Sequence, residues 1–209
     1  MENNTTELVF IIDKSGSMAG MEADTIGGFN AMLEKQKKQE GKVYVSTILF
    51  SNESNVLHDR LDLNDVAPLT DKDYTVGGCT ALLDAIGGAI EHIRTIHKYA
   101  RKEDVPAHTL FLITTDGMEN ASRRYSSSKV KEMIRTQETK CGWEFLFIAA
   151  NIDAVETADN IGIRRDRAAN YRQDEAGTQR LFACMSEVVG SVRNNKSVAS
   201  DWSENLMKK

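Results

Sequence analysis

Short apolar runs of strand length recur along this chain, and stretches with helical periodicity separate them. Leu8 to Ile12 contains five apolar residues in a row, and Leu110 to Ile113 and most of Trp143 to Ala150 have the same character. Continuous apolar runs of this length are typical of strands buried on both faces of a sheet. Strands that alternate with helices in this way predict an α/β fold, with a doubly wound, mostly parallel sheet and helices on both faces.

The pattern predicts six strands and five helices. Strands are predicted over residues 8–12, 42–50, 55–60, 109–115, 143–150 and 167–171, and helices over 22–40, from 80, from 126, over 153–160 and over 178–192. The second and third strands are joined by Ser51 to Glu53 only, which is too short for the crossover that parallel strands need. One strand is therefore expected to run antiparallel to its neighbour.

The predicted domain boundaries lie where this alternation begins and ends. Residues 1–5 are interpreted as a polar leader, residues 6–194 as the domain, and residues 195–209 as a C-terminal tail with weak periodicity. Within that tail, Trp202 and Leu206 are four residues apart. This spacing suits docking of the tail on the core or on a partner.

Charge and composition argue against several functional classes. The chain of 209 residues has a formal net charge of −5, whereas binding to nucleic acids or anionic membranes relies on an excess of Lys and Arg. The sequence shows neither a secretory signal nor an apolar segment of membrane-spanning length. The three cysteines, Cys79, Cys141 and Cys184, have no C-x-x-C spacing. They are interpreted as reduced thiols, which predicts a cytoplasmic protein.

The first apolar run leads directly into Asp13-Lys14-Ser15-Gly16-Ser17. Alternate positions of this loop carry one carboxylate and two hydroxyl groups, and Gly16 allows the backbone to turn sharply. Alternation points the three oxygen-bearing side chains the same way. Converging hard oxygens are how proteins hold Mg²⁺ or a similar divalent ion.

Two later stretches are expected to complete the same shell. Gly77-Gly78-Cys79-Thr80 supplies a further hydroxyl, and Thr114-Thr115-Asp116-Gly117 supplies a second carboxylate directly after the run Leu110 to Ile113. In doubly wound sheets, ligands bind beyond the carboxyl ends of strands where the strand order reverses. Taken singly, Asp13 is better explained as a helix N-cap or a turn-stabilising Asx residue, and Thr80 as a helix N-cap. The joint spacing favours a metal site.

Together these stretches resemble the metal-ion-dependent adhesion site (MIDAS) of von Willebrand factor A (vWA) domains. That site combines a D-x-S-x-S loop, a threonine from a glycine-rich loop and the aspartate of a (S/T)-D-G sequence. The matching residues are Asp13, Ser15, Ser17, Thr80 and Asp116. The resemblance covers roughly residues 6–194 and implies a six-stranded, Rossmann-like sheet with one antiparallel strand. It points to the stand-alone, intracellular bacterial or phage type of vWA protein.

The resemblance also implies a function that is not enzymatic. In vWA domains a Glu or Asp of a partner protein completes the coordination shell of the bound cation. The expected function is therefore divalent-metal-dependent protein–protein interaction. Two carboxylates are too few for a closed calcium cage, and Mg²⁺ commonly retains exchangeable positions in its shell. Mg²⁺ is therefore the expected cation, with Mn²⁺ and Ca²⁺ as alternatives. No nucleic-acid or membrane partner is expected.

Two other functions compete with this interpretation. A Mg²⁺-dependent phosphoryl-transfer enzyme would use Asp13 as its nucleophile, as haloacid-dehalogenase-type phosphatases do, but the acid/base position two residues on is Ser15. A scaffold that folds without metal would retain the motif as a vestige. Beyond Asp116, the residues Glu119, Asn120, Arg123 and Arg124 are interpreted either as the rim of a binding face or as a solvated loop.

Overall fold

A computed structural model describes residues 4–207, and its centre is a six-stranded sheet. The strands are β1 (Thr6–Asp13), β2 (Val43–Phe50), β3 (Ser54–Asp62), β4 (His108–Thr115), β5 (Glu144–Ala149) and β6 (Ala168–Asn170). They lie in the order β3-β2-β1-β4-β5-β6. β3 pairs antiparallel with β2, and the other strand pairs of the described residues are parallel. The predicted sheet, with its one antiparallel strand, is confirmed.

The described residues contain five α-helices, which cover both faces of the sheet. They are α1 (Glu22–Lys37), α2 (Leu82–Tyr99), α3 (Ser127–Cys141), α4 (Ala154–Ile161) and α5 (Glu175–Arg193). α1 and α5 pack on one face, and α2, α3 and α4 pack on the other. α3 and α4 begin at residues that cap them: Ser126 accepts a hydrogen bond from Lys129 N, and Asp153 accepts one from Glu156 N.

Two hydrophobic cores result from the alternation of side chains along each strand. In β1, Leu8, Phe10 and Ile12 belong to the core beneath α1 and α5, whereas Val9 and Ile11 belong to the core beneath α2, α3 and α4. Burial of such side chains stabilises the fold by about 1.5–3 kcal/mol each. Both faces of β1 are therefore apolar, which explains why its sequence is a continuous apolar run rather than an alternating one.

The C-terminal segment after α5 lies against the protein's own core. Val198, Trp202 and Leu206 are buried in the cluster that also contains α1 and α5 side chains. The indole Nε1 of Trp202 donates a 2.9 Å hydrogen bond to the carbonyl of Asp166, just before β6. The spacing of Trp202 and Leu206 thus reflects docking on the core.

Parts of the predicted leader and tail, residues 1–3 and 208–209, lie outside the described residues. Among residues 4–207, none of the helices combines the length and the apolar character that crossing a membrane requires.

Candidate metal centre

The predicted ligands lie at the carboxyl ends of β1 and β4, which are neighbours at the point where the strand order reverses. Asp13 is the last residue of β1, and Asp116 directly follows β4. Ile12 pairs with Thr114 across these parallel strands, so the two loops leave the sheet side by side. The sheet alone therefore brings two carboxylates that are 103 residues apart in sequence (116 − 13) to the same edge.

The loop after β1 folds back onto its own aspartate. Ser15 N donates a 2.7 Å hydrogen bond to Asp13 Oδ1, which is the Asx-type turn considered for Asp13 on sequence grounds. The hydroxyl oxygens of Ser15 and Ser17 lie 3.1 Å apart. The turn and the convergence of oxygens thus occur together, since the turn is what points these side chains towards one place.

Hydroxyl groups link the two carboxylates into one cluster. Ser17 Oγ donates a 2.6 Å hydrogen bond to Asp116 Oδ1, and Thr115 Oγ1 donates a 2.6 Å hydrogen bond to Asp13 Oδ2. Asp13 is 1% exposed and Asp116 is 2% exposed, whereas Ser17 is exposed. The carboxylates therefore form the floor of the site, and Ser17 lies at its opening.

The hydroxyl of Thr80 lies near the same cluster. A Cβ atom built on Gly117 would lie 3.3 Å from the hydroxyl oxygens of both Thr80 and Ser17, so these two oxygens flank the same glycine. The backbone of Thr80 pairs with Asn120: its N–H donates to Asn120 Oδ1 at 2.9 Å, and its carbonyl accepts from Asn120 N at 3.0 Å.

Thr80 is not the N-cap of α2, which corrects the alternative considered for it. The N-cap is Ala81, which has no capping side chain, and the helix begins at Leu82 rather than at Thr80. The physical reason is the pairing of Thr80 with Asn120, which holds its backbone outside the helix. The hydroxyl of Thr80 therefore remains with the other oxygens of the site.

Backbone contacts fix the glycine-rich loop against the loop after β1. Gly16 N donates to the carbonyl of Gly78 at 3.0 Å, and Gly77 N donates to the carbonyl of Lys14 at 2.9 Å. Gly78 has a φ of +84°, and a Cβ atom there would lie 2.5 Å from Asn52 Oδ1. Both its backbone conformation and this close approach require glycine.

The electrostatics of the site are those of two buried acids without a counter-charge. Burial raises the pKa of Asp13, although hydrogen bonds from Thr115 and Ser15 oppose the increase. Burial also raises the pKa of Asp116, and the nearby negative charge of Asp13 adds to that increase. Neither carboxylate forms an ion pair with a Lys, Arg or His among residues 4–207.

The donor set fits a hard divalent cation. Two carboxylates and three hydroxyl groups supply only oxygen donors, the type that Mg²⁺, Mn²⁺ and Ca²⁺ prefer. The described residues contain no group of three or more His, Cys, Asp or Glu side chains that is arranged to hold a metal ion. A cation at this edge of the sheet would therefore depend on the hydroxyl oxygens of Ser15, Ser17 and Thr80 as well as on the two acids.

Several residues around the site were not predicted from the sequence. Gln173, in the loop before α5, donates through Nε2 to Asp116 Oδ2 and to the carbonyl of Ser17. The hydroxyl of Tyr74 donates to the backbone carbonyl of Asp13. Thr115 lies within the stretch that identified Asp116, so its position was a usable signal. Gln173 and Tyr74 lie in loops with no such pattern.

The carboxylate of Glu119 is hydrogen-bonded to the protein's own backbone and is not available at the rim of the site. Its Oε2 accepts a hydrogen bond from Leu83 N at 2.9 Å, and its Oε1 accepts from Ala121 N and Ser122 N at 2.9 and 2.8 Å. These bonds fasten the loop after β4 to the start of α2. Asn120 is likewise occupied by Thr80, and Arg123 and Arg124 are exposed.

No protein-family model matches the sequence, and no curated protein matches it. Solved structures with a similar fold include a von Willebrand factor type A protein from Catenulispora acidiphila, with a TM-score of 0.56 and 13% identity over 87% of this chain and 42% of that one. Proximal thread matrix protein 1 from the mussel byssus, with a zinc-occupied MIDAS motif, has a TM-score of 0.59 and 13% identity over 88% of this chain and 46% of its own.

A variant of the PilB minor pilin from Streptococcus sanguinis is also similar, with a TM-score of 0.60 and 11% identity over 95% of this chain and 62% of that one. This chain therefore spans less than two thirds of each of these three proteins. At such low identity the likeness shows the fold alone. The fold is vWA-like.

Proposed function

We propose that this protein is a divalent-cation-dependent protein interaction module. Asp13, Ser15, Ser17, Thr80 and Asp116 would hold the cation, and an acidic side chain of a partner protein would complete its coordination. The observation that carries this proposal is the convergence of two buried, uncompensated carboxylates with three hydroxyl groups at one edge of the sheet. Burying such acids is unfavourable unless a cation or a proton neutralises them.

The residues of the site have distinct parts in this function. Thr115 and Ser15 N hold the carboxylate of Asp13 in place, and Ser17 orients Asp116. A bound divalent cation supplies a concentrated positive charge that attracts a carboxylate oxygen. Because Gly16 and Ser17 are exposed, a side chain from another protein can reach the site from solvent.

Mg²⁺ is the proposed cation, with Mn²⁺ and Ca²⁺ as alternatives, because the site offers oxygen donors without thiol or imidazole. The sequence motif supports the proposal of an intact MIDAS, and we propose the intracellular bacterial or phage type of vWA domain because the cysteines are not bridged. A cytoplasmic location is proposed because Cys79, Cys141 and Cys184 are all free thiols.

The phosphoryl-transfer alternative is less compatible with the geometry. A nucleophilic aspartate needs a free carboxylate oxygen that substrate can approach. Asp13 is 1% exposed, so a phosphoester has no direct path to its carboxylate, whereas the hydrogen bonds from Ser15 N and Thr115 Oγ1 leave each oxygen a lone pair with which to bind a cation. These contacts support a role in which Asp13 binds the cation rather than attacks a substrate.

Metal binding is tested by titration of the purified protein with Mg²⁺ after treatment with chelator. At a hundredfold excess over the dissociation constant, a ligand of the native state stabilises it by about 2.7 kcal/mol. For a chain of this size that raises the unfolding midpoint by about 5 °C or more. The increase is expected to disappear in Asp116→Asn. It should persist in Asp153→Asn, which removes the same charge at an α4 N-cap where Asn is equally effective.

Partner binding is tested by affinity capture with the native protein and Asp13→Ala, each in Mg²⁺ and in EDTA. A partner should be retained only by the native protein in Mg²⁺. Equal retention of the same proteins under all four conditions would contradict the proposed mechanism.

A further inference from the structure

A polar groove begins beside Thr80 and runs towards the edge strand β3. Its first part has a volume of about 580 Å³ and is lined by Asn52, Glu53, Cys79, Asn120, Arg123 and Arg124, among others. Cys79 precedes Thr80 in the chain, and Asn120 is hydrogen-bonded to Thr80. We call this cavity the arginine groove. It adjoins the candidate metal centre, so a chain that reaches the centre can also enter the groove.

The groove continues along the protein surface. A second cavity of about 520 Å³ shares Asn52, Glu53, Asp84 and Arg124 with the first, and it extends to Val56 of β3. The four shared residues place the two cavities next to each other, and an extended peptide segment could occupy both.

The backbone that carries the two arginines is held rigidly. The carboxylate of Asp84, in the first turn of α2, accepts hydrogen bonds of 2.9 Å from the backbone N–H groups of Arg123, Arg124 and Tyr125. The ring of Tyr125 packs against Gly87 of α2, where a Cβ atom would lie 2.5 Å from the ring. The loop is therefore preorganised, which lowers the entropic cost of binding.

The guanidinium groups of Arg123 and Arg124 are exposed, and neither forms an ion pair with a carboxylate among residues 4–207. Several other exposed arginines do, although exposed Arg135 does not within the same range: Arg94 with Glu91 at 2.6 Å, Arg101 with Asp104 at 2.6 Å and Arg172 with Asp174 at 2.7 Å. Asp84 offsets part of the charge of Arg124, since the nearby guanidinium adds to the backbone hydrogen bonds that lower the pKa of Asp84, but its oxygens accept backbone N–H groups and form no ion pair with either arginine.

We infer that the partner segment carries two acidic side chains. The first completes the coordination of the cation, and the second binds in the arginine groove. This inference rests on the proposed function. The groove supplies two positive charges on a fixed loop, which match carboxylates in charge and hydrogen-bonding geometry. Glu53 and Asp84 in the lining of the groove, together with the net charge of −5, disfavour densely charged polyanions, so the fitting partner is a peptide with separated acidic residues.

The inference is tested with a phage-displayed library of random 12-residue peptides, selected on the full chain in Mg²⁺ and eluted with EDTA. Recovered peptides are expected to carry two acidic residues within reach of each other. In synthetic copies, each acidic residue is replaced in turn by its amide, and dissociation constants are measured by fluorescence anisotropy. The double variant R123Q/R124Q should bind the two-acid peptide with a dissociation constant roughly 5- to 10-fold higher than that of the native protein, as expected for the loss of two exposed ion pairs.

The single-acid copy that still depends on Mg²⁺ should bind the double variant and the native protein equally well. The matched control R101Q/R135Q removes two exposed charges outside the groove and should bind like the native protein. Two outcomes would overturn the inference while leaving the metal-dependent function intact. One is the recovery of one-acid peptides only, and the other is that R123Q/R124Q binds the two-acid peptide as tightly as the native protein does. Failure to recover any peptide that EDTA releases would instead count against the proposed function and, with it, the inference.

Discussion

Gln173 reaches across the edge of the sheet to Asp116, 57 residues away in sequence, and donates its Nε2 to Asp116 Oδ2. The same nitrogen donates a 2.9 Å hydrogen bond to the carbonyl of Ser17. One amide therefore connects the loop before α5 to two of the three loops that carry the candidate ligands, those after β1 and β4. Its neutral side chain holds Asp116 without neutralising it.

Gln173→Glu is expected to make the protein more dependent on a divalent cation. The new carboxylate faces Asp116 and the carbonyl of Ser17, so in EDTA the variant should lose about 1–2 kcal/mol of stability through repulsion and a lost donor. In Mg²⁺ the extra charge should strengthen cation binding and recover much of that loss. Thermal unfolding in both buffers measures this. A Mg²⁺-induced increase no larger than that of the native protein would contradict the prediction.

Thr80→Val should separate metal binding from folding. The hydroxyl of Thr80 flanks Gly117 together with that of Ser17, and Val has nearly the same shape without an oxygen donor. Loss of one neutral oxygen ligand of the cation should cost about 1.5 kcal/mol of binding free energy. This corresponds to roughly tenfold weaker Mg²⁺ binding. Calorimetric titration measures the affinity. Thr80→Ser keeps the hydroxyl and should bind like the native protein, and stability in EDTA should be preserved in both variants.

Asp84 should give the protein an acid-sensitive contribution to stability. Burial raises the pKa of Asp84, but backbone hydrogen bonds from Arg123, Tyr125 and Arg124 outweigh this and hold the pKa below its ordinary value of 3.8. A lowered native pKa stabilises the fold above pH 3.8, and the contribution is lost as the pH falls through the native value.

The native protein should therefore exceed Asp84→Asn in unfolding free energy by about 1–2 kcal/mol at pH 5–8. The difference should shrink as the pH falls below 3.8. Urea unfolding of both proteins across this range, in EDTA throughout, measures the effect. A difference that does not change with pH would mean that the charge of Asp84 does not hold the loop.

Leu206 tests whether the C-terminal segment belongs to the core. It is fully buried, and Leu206→Ala should cost about 2–4 kcal/mol. The neighbouring Met207 is 57% exposed, so Met207→Ala should change stability by less than about 0.5 kcal/mol. Urea unfolding distinguishes the two. Mg²⁺ affinity should be unchanged in both variants, since the segment docks near Asp166 rather than at the candidate metal centre. Equal stability of the two variants would contradict this assignment.

The strands and the candidate ligands could be predicted because their signals are local. Leu8 to Ile12 is apolar on both faces of β1, and the oxygen-bearing residues follow directly at the ends of β1 and β4. Gln173 could not be predicted, because its place at Asp116 depends on where the loop between β6 and α5 lies in three dimensions. The start of α2 was misplaced for the same reason, since a distant residue, Asn120, holds Thr80 outside the helix.

Arg193, the last residue of α5, should be among the most sensitive positions outside the candidate metal centre. It is 5% exposed, and its guanidinium donates to the backbone carbonyls of Gln36, Gln39 and Glu40 at 2.7, 3.0 and 2.9 Å. Gln36 lies in the last turn of α1, and Gln39 and Glu40 lie just after the helix, where its dipole favours a positive charge. Burial lowers the pKa of Arg193, and no carboxylate among the described residues pairs with it.

Because a planar guanidinium serves several carbonyls at once, Arg193→Lys should still lose about 2 kcal/mol although the charge is kept. Arg193→Met, which keeps the apolar stem but removes the donors from the carbonyls at and after the end of α1, should lose about 3 kcal/mol or more. Urea unfolding in EDTA measures both, and hydrogen exchange of the last turn of α1 should increase in parallel. If Arg193→Lys were as stable as the native protein, charge at the helix end rather than the forked hydrogen bonds would be what secures α5 to α1.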